Sequence, residues 1–239
     1  NKRSPTITPC DANIRPIRMK RIAILGLGYI GLPTAILAAE SGYSVFGYDI
    51  DKEKVATINT GKSPILEPEI QSRLLHALKK KNLKINTELE YANCFVITVP
   101  TPFHQNNTAD LSYVYQAIEE VGCKLMPGNL VIIESTIPVG TTEKISSFLE
   151  EKSGLKAKKD FFLAHCPERA LPGKLFQELR ENDRIIGGIC QKSCNLAYQF
   201  YTKFVKGCLY STNDKSAEMV KLIENSSRDV QIAFANQVA

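Results

Sequence analysis

Arg21-Ile22-Ala23-Ile24-Leu25-Gly26-Leu27-Gly28-Tyr29-Ile30-Gly31 is a short apolar run followed at once by Gly-x-Gly-x-x-Gly. The run predicts a strand, and the apolar residues after it, IGLPTAILAAESG, predict a helix that the third glycine opens. Each glycine has its own task there. Gly26 makes the tight turn, Gly28 lets the backbone approach a pyrophosphate, and Gly31 lets helix and strand pack closely. The helix N-terminus adds unpaired N–H donors and positive potential, which suit phosphate. Tyr29 and Ile30 lie inside the turn and count with the glycines as cofactor contacts.

Outward from this turn, the strand SVFGYD ends at Asp49, 18 residues past Gly31, where a carboxylate accepts hydrogen bonds from a ribose diol. Asp49 and nearby Asp51 would repel a 2′-phosphate, so NAD is expected rather than NADP. Strand-like runs recur at CFVITV, LVIIEST, FFLAHC and RIIGG, with helical stretches near 67–81, 112–125, 141–152 and 191–204. Strands this continuously apolar belong in a parallel sheet covered on both faces, so the class is α/β, a doubly wound Rossmann-type sheet. Thr101, between Pro100 and Pro102, and Thr136, after Ser135, follow two of these strands, where ligands of open parallel sheets sit. For the two prolines, helix-blocking turn chemistry is an equal alternative.

From cap-type Asp214 and Ser216 a helix runs to the last residue without Gly or Pro, the expected start of a long central helix that continues beyond Ala239. Residues 1–18, with three prolines and no apolar periodicity, are expected to be a flexible leader outside the fold. The domains are thus expected at 19–212, for the dinucleotide, and 213–239, the beginning of a helical dimerisation and substrate domain.

Composition excludes other classes. Apolar residues make up 44% and charged residues 23%, as in an ordinary globular core, and no apolar run is long enough to span a membrane. The net charge of +5 resides in the first 21 residues, where six basic side chains face only Asp11; beyond them acids and bases balance, which argues against nucleic acid. Seven cysteines form no CxxC pair and have no histidine at metal-ligand spacing, so no metal is expected, and reduced thiols in a cytoplasmic protein fit best.

The motifs GLGYIGLP, VPTPF, ESTIPVGTT, CPERALPG, ENDRIIGG and AEMVKLIENSSRDVQIAFAN, in this order from Met19 to Ala239, resemble the UDP-glucose/UDP-N-acetylmannosamine dehydrogenase family. Their wording is most similar to the branch acting on UDP-N-acetyl-D-mannosamine, which supplies mannosaminuronic acid for bacterial surface polysaccharides. The resemblance implies two successive NAD-dependent oxidations at the sugar C6, the second held as a thioester on a cysteine in a GGHC-like segment. No such segment is present, so the chain alone is expected not to turn over. Cys166, the first residue of CPER and a neighbour of Glu168, is not expected to be the nucleophile, because the family's motif places an ordinary residue there.

Carried over residue by residue, the resemblance makes Lys221 and Asn225 the oxyanion stabilisers, Lys221 also the proton donor or acceptor, and Arg228 a substrate contact. Their i, i+4, i+7 spacing puts them on one helix face, though composition alone favours a solvated polar stripe. Glu168 is implied as general base for thioester hydrolysis, with pairing to Arg169 or Arg184 as the bland alternative. Thr136 is implied to order water or touch the nicotinamide, and Arg169, Ala170 and Leu171 to lie along the UDP-sugar. A homodimer through the long helix is also implied. Gln237 departs from the family's usual glutamate. Three rivals remain: UDP-glucose 6-dehydrogenase, a non-catalytic nucleotide-binding module, and a hydroxyacid dehydrogenase using Lys221 as acid/base.

Overall fold

A computed structural model describes residues 8–9 and 19–239. Its elements are β1 (Thr8–Pro9), β2 (Arg21–Leu25), α1 (Gly31–Glu40), β3 (Ser44–Tyr48), α2 (Lys52–Asn59), α3 (Ile70–Lys79), β4 (Leu83–Asn86), β5 (Cys94–Ile97) and α4 (Ser112–Lys124). They continue with β6 (Leu130–Ile133), α5 (Thr141–Ser153), β7 (Phe162–His165), α6 (Leu175–Glu181), β8 (Arg184–Gly188), α7 (Gln191–Tyr201), β9 (Leu209–Asn213) and α8 (Asp214–Val238).

Among the described residues the sheet runs β4-β3-β2-β5-β6-β7-β8-β9-β1, and every pairing from β4 to β7 is parallel. Successive strand residues point to opposite faces. Ile22 and Ile24 of β2 therefore enter one core with α1, α3, α6 and α7, while Ala23 and Leu25 enter a second core with α4 and α5. Two cores, one on each face, explain why the strands carry no alternation of apolar and polar residues. Strand order reverses between β2 and β5, so a crevice opens at their carboxyl ends, where open α/β sheets bind ligands.

The wholly parallel expectation fails at two pairings, β1 with β9 at the edge and, within the sheet, β8 with β7, where His165 stands opposite Gly187. The chain between β7 and β8 carries only the seven-residue α6. Strand β8 therefore enters at the carboxyl edge of β7 and brings Arg184 to the crevice. Three elements without a sequence signal also appear, namely β4, α6 and β9. Within the stretch set aside as a leader, Thr8–Pro9 pairs antiparallel with β9 at the sheet edge; the rest of residues 1–18 lies outside the described residues.

Helix α8 is capped by Asn213, whose side chain accepts from the Ser216 N–H at 2.8 Å, one residue before the anticipated Asp214. Four residues in, Glu218 is fully buried and takes the place of a missing cap on α5, because the residue at that cap is Gly140. One carboxylate oxygen accepts from Gly140 N–H at 2.6 Å, and the other from the Thr142 N–H at 2.7 Å and the Thr142 hydroxyl at 2.6 Å. This carboxylate pins α8 to the domain. Glu218→Ala leaves buried donors unpaired and is expected to lower stability by about 2–3 kcal/mol. At about 2–4 °C per kcal/mol for a chain of this size, calorimetry should show a melting temperature lower by roughly 5–10 °C. An unchanged melt would mean that α8 is held by apolar contacts alone.

Candidate functional site

A cavity of about 690 Å³ lies in the crevice, bounded by the glycine turn, the ends of β3, β5 and β6, helix α4 and the loop after β7. At its head, Gly26 adopts φ +91° and donates its N–H to Tyr48 O at 2.8 Å, a backbone that side-chain-bearing residues rarely take. A Cβ on Gly31 would stand 1.8 Å from Gly26 O, whereas one on Gly28 would meet nothing within 4 Å. The space over Gly28 is thus open cavity, and α1 starts without a side-chain cap or an acidic residue in its first turn. NAD fits this cradle: an anion placed there meets free helix amides and no competing carboxylate.

Asp49 is buried and already engaged. Oδ2 accepts from Leu27 N–H and from Lys54 Nζ, both at 2.8 Å, and Oδ1 accepts from Asp51 N–H at 3.0 Å. Asp51 in turn caps α2 through Glu53 N–H and Lys54 N–H. Both carboxylates stand where the expectation for NAD needs them, with Lys54 paired to Asp49 and Asp51 held as the cap of α2. Lys54 went unread in the sequence, although Asp-x-Asp-x-x-Lys at a strand-to-helix turn was its signal. Thr98, the first residue after β5, locks the turn by donating its hydroxyl to Leu25 O and Gly26 O at 2.9 and 2.7 Å.

Thr101 and Thr136 both line the cavity, several residues past their strands, and Ser135 ties their two loops by donating to Val99 O at 2.6 Å. Below them Glu134 is 3% exposed; its Oε1 accepts from Arg184 Nη1 at 2.7 Å and from the Tyr201 hydroxyl at 2.6 Å. Burial pushes the Glu134 carboxyl above its ordinary range, and Arg184 beside it pulls back. This buried trio had no sequence signal, since its members lie 17 to 67 residues apart. His165, at the end of β7, is fully enclosed, and burial lowers its pKa to about 3, so it stays neutral.

Glu168 lines the same cavity, three residues beyond β7. Its partner is neither Arg169 nor Arg184. Lys221 Nζ donates to the backbone O of Glu168 at 2.6 Å and lies 3.5 Å from its carboxylate, while that carboxylate also accepts from Ala170 N–H at 2.5 Å. Lys221 is thus a buried cation against the cavity wall. Arg169 pairs with Glu224 of α8 at 2.7 Å, and Leu171 N–H donates to Glu178 at 2.7 Å. The structure does not bring Asn225 or Arg228 to the cavity; both are exposed where α8 leaves the domain. Among the described residues no cysteine lines the cavity, and Cys166 is fully buried with its thiol pushed up by burial.

Strand order, glycine turn, bare helix N-terminus and an engaged acid at the next strand end together define a dinucleotide-binding domain of the Rossmann type. Residues 20–205 match the NAD binding domain of the UDP-glucose/GDP-mannose dehydrogenase family, and the chain belongs to that family. It is 52% identical, over 222 residues, to a UDP-N-acetyl-D-mannosamine dehydrogenase of Pyrococcus horikoshii, covering 92% of this chain and 53% of the relative. A protein of the same name from Methanococcus vannielii is 46% identical, covering 93% of this chain and 51% of the relative. The solved structure of UDP-D-ManNAc dehydrogenase from P. horikoshii superposes with a TM-score of 0.89, over 91% of this chain and 52% of that one. The chain spans about half the length of the curated relatives it matches.

Proposed function

We propose that this chain is the NAD-binding half of a UDP-N-acetyl-D-mannosamine dehydrogenase, which oxidises the sugar C6 hydroxyl through the aldehyde to UDP-N-acetyl-D-mannosaminuronate. The observation that carries this reading is Lys221, a buried ammonium held by Glu168, which lines the same cavity as the glycine turn. Bound NAD supplies the hydride acceptor. Lys221 exchanges a proton with the C6 oxygen and stabilises its negative charge, and Glu168 orients Lys221 and serves as the base for the water that releases the acid. Thr136 lines the same cavity as Glu168, suited to contact the nicotinamide or order that water. Arg169, Ala170 and Leu171 hold the UDP-sugar, with Asn225 and Arg228 completing its site on the far part of α8. The second oxidation passes through a thioester on a cysteine from outside these residues.

In this reading the whole protein is a cytoplasmic homodimer that feeds surface polysaccharide synthesis. The exposed Met219, Ile223, Val230 and Phe234 of α8 are the apolar face that a second copy covers. No helix among the described residues is long and apolar enough to cross a membrane.

The test is NADH release by the complete protein given UDP-N-acetylmannosamine or UDP-glucose, with calorimetric NAD titration of this chain in parallel. Two NADH per UDP-N-acetylmannosamine, and NAD binding without turnover by the chain, are expected. Preference for UDP-glucose would overturn the sugar assignment, and oxidation of a simple hydroxy acid by the chain alone would overturn the whole reading.

A further inference from the structure

Glu67 lies in the segment between α2 and α3, outside the cavity lining, yet its carboxylate hydrogen-bonds two separate parts of the site. Its carboxylate accepts a hydrogen bond from the Tyr29 hydroxyl. The same carboxylate accepts from Gly173 N–H at 2.7 Å and Leu175 N–H at 3.5 Å. Tyr29 is a residue of the glycine turn, its backbone beside the pyrophosphate cradle, whereas Gly173 and Leu175 end the loop that begins at Glu168.

Three carboxylates hold the amides of that loop: Glu168 takes Ala170, Glu178 takes Leu171, and Glu67 takes Gly173 and Leu175. Of the three, Glu67 alone also bonds the cofactor turn. Its backbone O accepts from Ile70 N–H at the start of α3 at 3.4 Å, and on the same helix Arg73 pairs with Glu69 and with Glu40 of α1 and lies over the Phe176 ring, 4.7 Å from its centroid. The phenol remains the donor, because burial and then the Glu67 contact push its pKa up to about 12.

We propose that Glu67 is a positioning residue that couples cofactor binding to the order of the 168–175 loop. Filling the cradle over Gly28 immobilises the turn and with it the Tyr29 ring. The hydroxyl then restrains Glu67, and Glu67 restrains the loop that carries Glu168 and the UDP-sugar contacts. A coupling of this kind is reciprocal, so each ligand raises affinity for the other by the same factor. The inference rests on the NAD reading above and adds how the two halves of the site communicate.

Trypsin reads the loop directly, since Arg169 and Lys174 are cleavage sites within it. In this chain, saturating NAD is expected to slow cleavage at Lys174 about tenfold, within the usual range of coupling factors. In Glu67→Ala, NAD still binds by calorimetry, but cleavage becomes equally fast with and without it. Glu67→Gln keeps one oxygen to accept from both Gly173 N–H and the Tyr29 hydroxyl, which share Oε1, and restores at least half of the protection.

A role in stability alone would raise cleavage in both conditions and leave the ratio unchanged, and that result overturns the proposal. Absence of protection in the unaltered chain despite measured NAD binding overturns it too, while absence of NAD binding itself refutes the underlying cofactor assignment instead. Should Glu67→Ala not fold, Tyr29→Phe at saturating NAD decides by the same ratio.

Discussion

Gly28→Ala is expected to leave the fold intact and remove measurable NAD binding, whereas Gly31→Ala, three residues on, is expected to stop the chain from folding. The two glycines share a turn but face different things. A methyl group on Gly28 meets no protein atom within 4 Å and projects into the cradle, where the backbone must approach a pyrophosphate. Gly28 is not among the positive-φ residues, so alanine accepts its backbone. On Gly31 the same methyl group stands 1.8 Å from Gly26 O and 2.4 Å from Thr98 Oγ1. A backbone oxygen cannot turn aside as a side chain would, so the penalty exceeds the roughly 1–3 kcal/mol of ordinary overpacking. Thermal melts and calorimetric titration separate the cases. A Gly28→Ala chain that melts normally and binds NAD within threefold of the unaltered chain would place the cofactor elsewhere.

Arg184→Met is expected to be the most destabilising single change that leaves the cofactor cradle untouched. Arg184 and Glu134 are 2.7 Å apart with side chains 5% and 1% exposed, so neither reaches water when the other is removed. Breaking a buried pair on one side costs about 3–5 kcal/mol, a melting temperature lower by roughly 10 °C or more. Burial already pushes the Glu134 carboxyl upward against the pull of Arg184, and without Arg184 it takes up a proton instead. A carboxyl whose folded pKa lies above its unfolded value binds protons preferentially when folded, so its stabilising contribution shrinks as pH rises through that interval. The deficit of Arg184→Met is therefore smaller near pH 5 than near pH 8. Arg184→Met with Glu134→Leu together should recover most of the loss, because an apolar pair replaces two desolvated charges. A double variant no better than the single one would show that Arg184 acts chiefly by packing on the Tyr201 ring, 4.3 Å from its guanidinium.

The site was legible wherever its chemistry is written in consecutive residues. The turn from Gly26 to Gly31, Asp49 at the next strand end, and Thr101 and Thr136 after later strands all line or bound one cavity. Glu168 and Lys221 are 53 residues apart, and only their membership of known motifs linked them before the fold joined them. Lys54, Glu67, Glu134 and Tyr201 carry no such reading, and Arg184 is expected only as a partner of Glu168, not of Glu134. Their roles come from partners distant in the chain, except for Lys54, whose short motif was present.

Residue order alone dictates a local code: apolar runs that must be covered on both faces, glycines where a side chain cannot stand, and the alternation of the longer strands and helices, without β4, α6 and β9. Each depends on neighbours within about one turn or strand, so periodicity and residue type suffice. The tertiary structure alone decided that β8 runs against β7, that Asp49 already has Lys54 as partner, and that Glu218 and Lys221 fasten α8 to α5 and to the loop after β7. Those outcomes follow from which buried charges and unpaired amides meet once the sheet has closed, and the fold sets that pairing across dozens of residues.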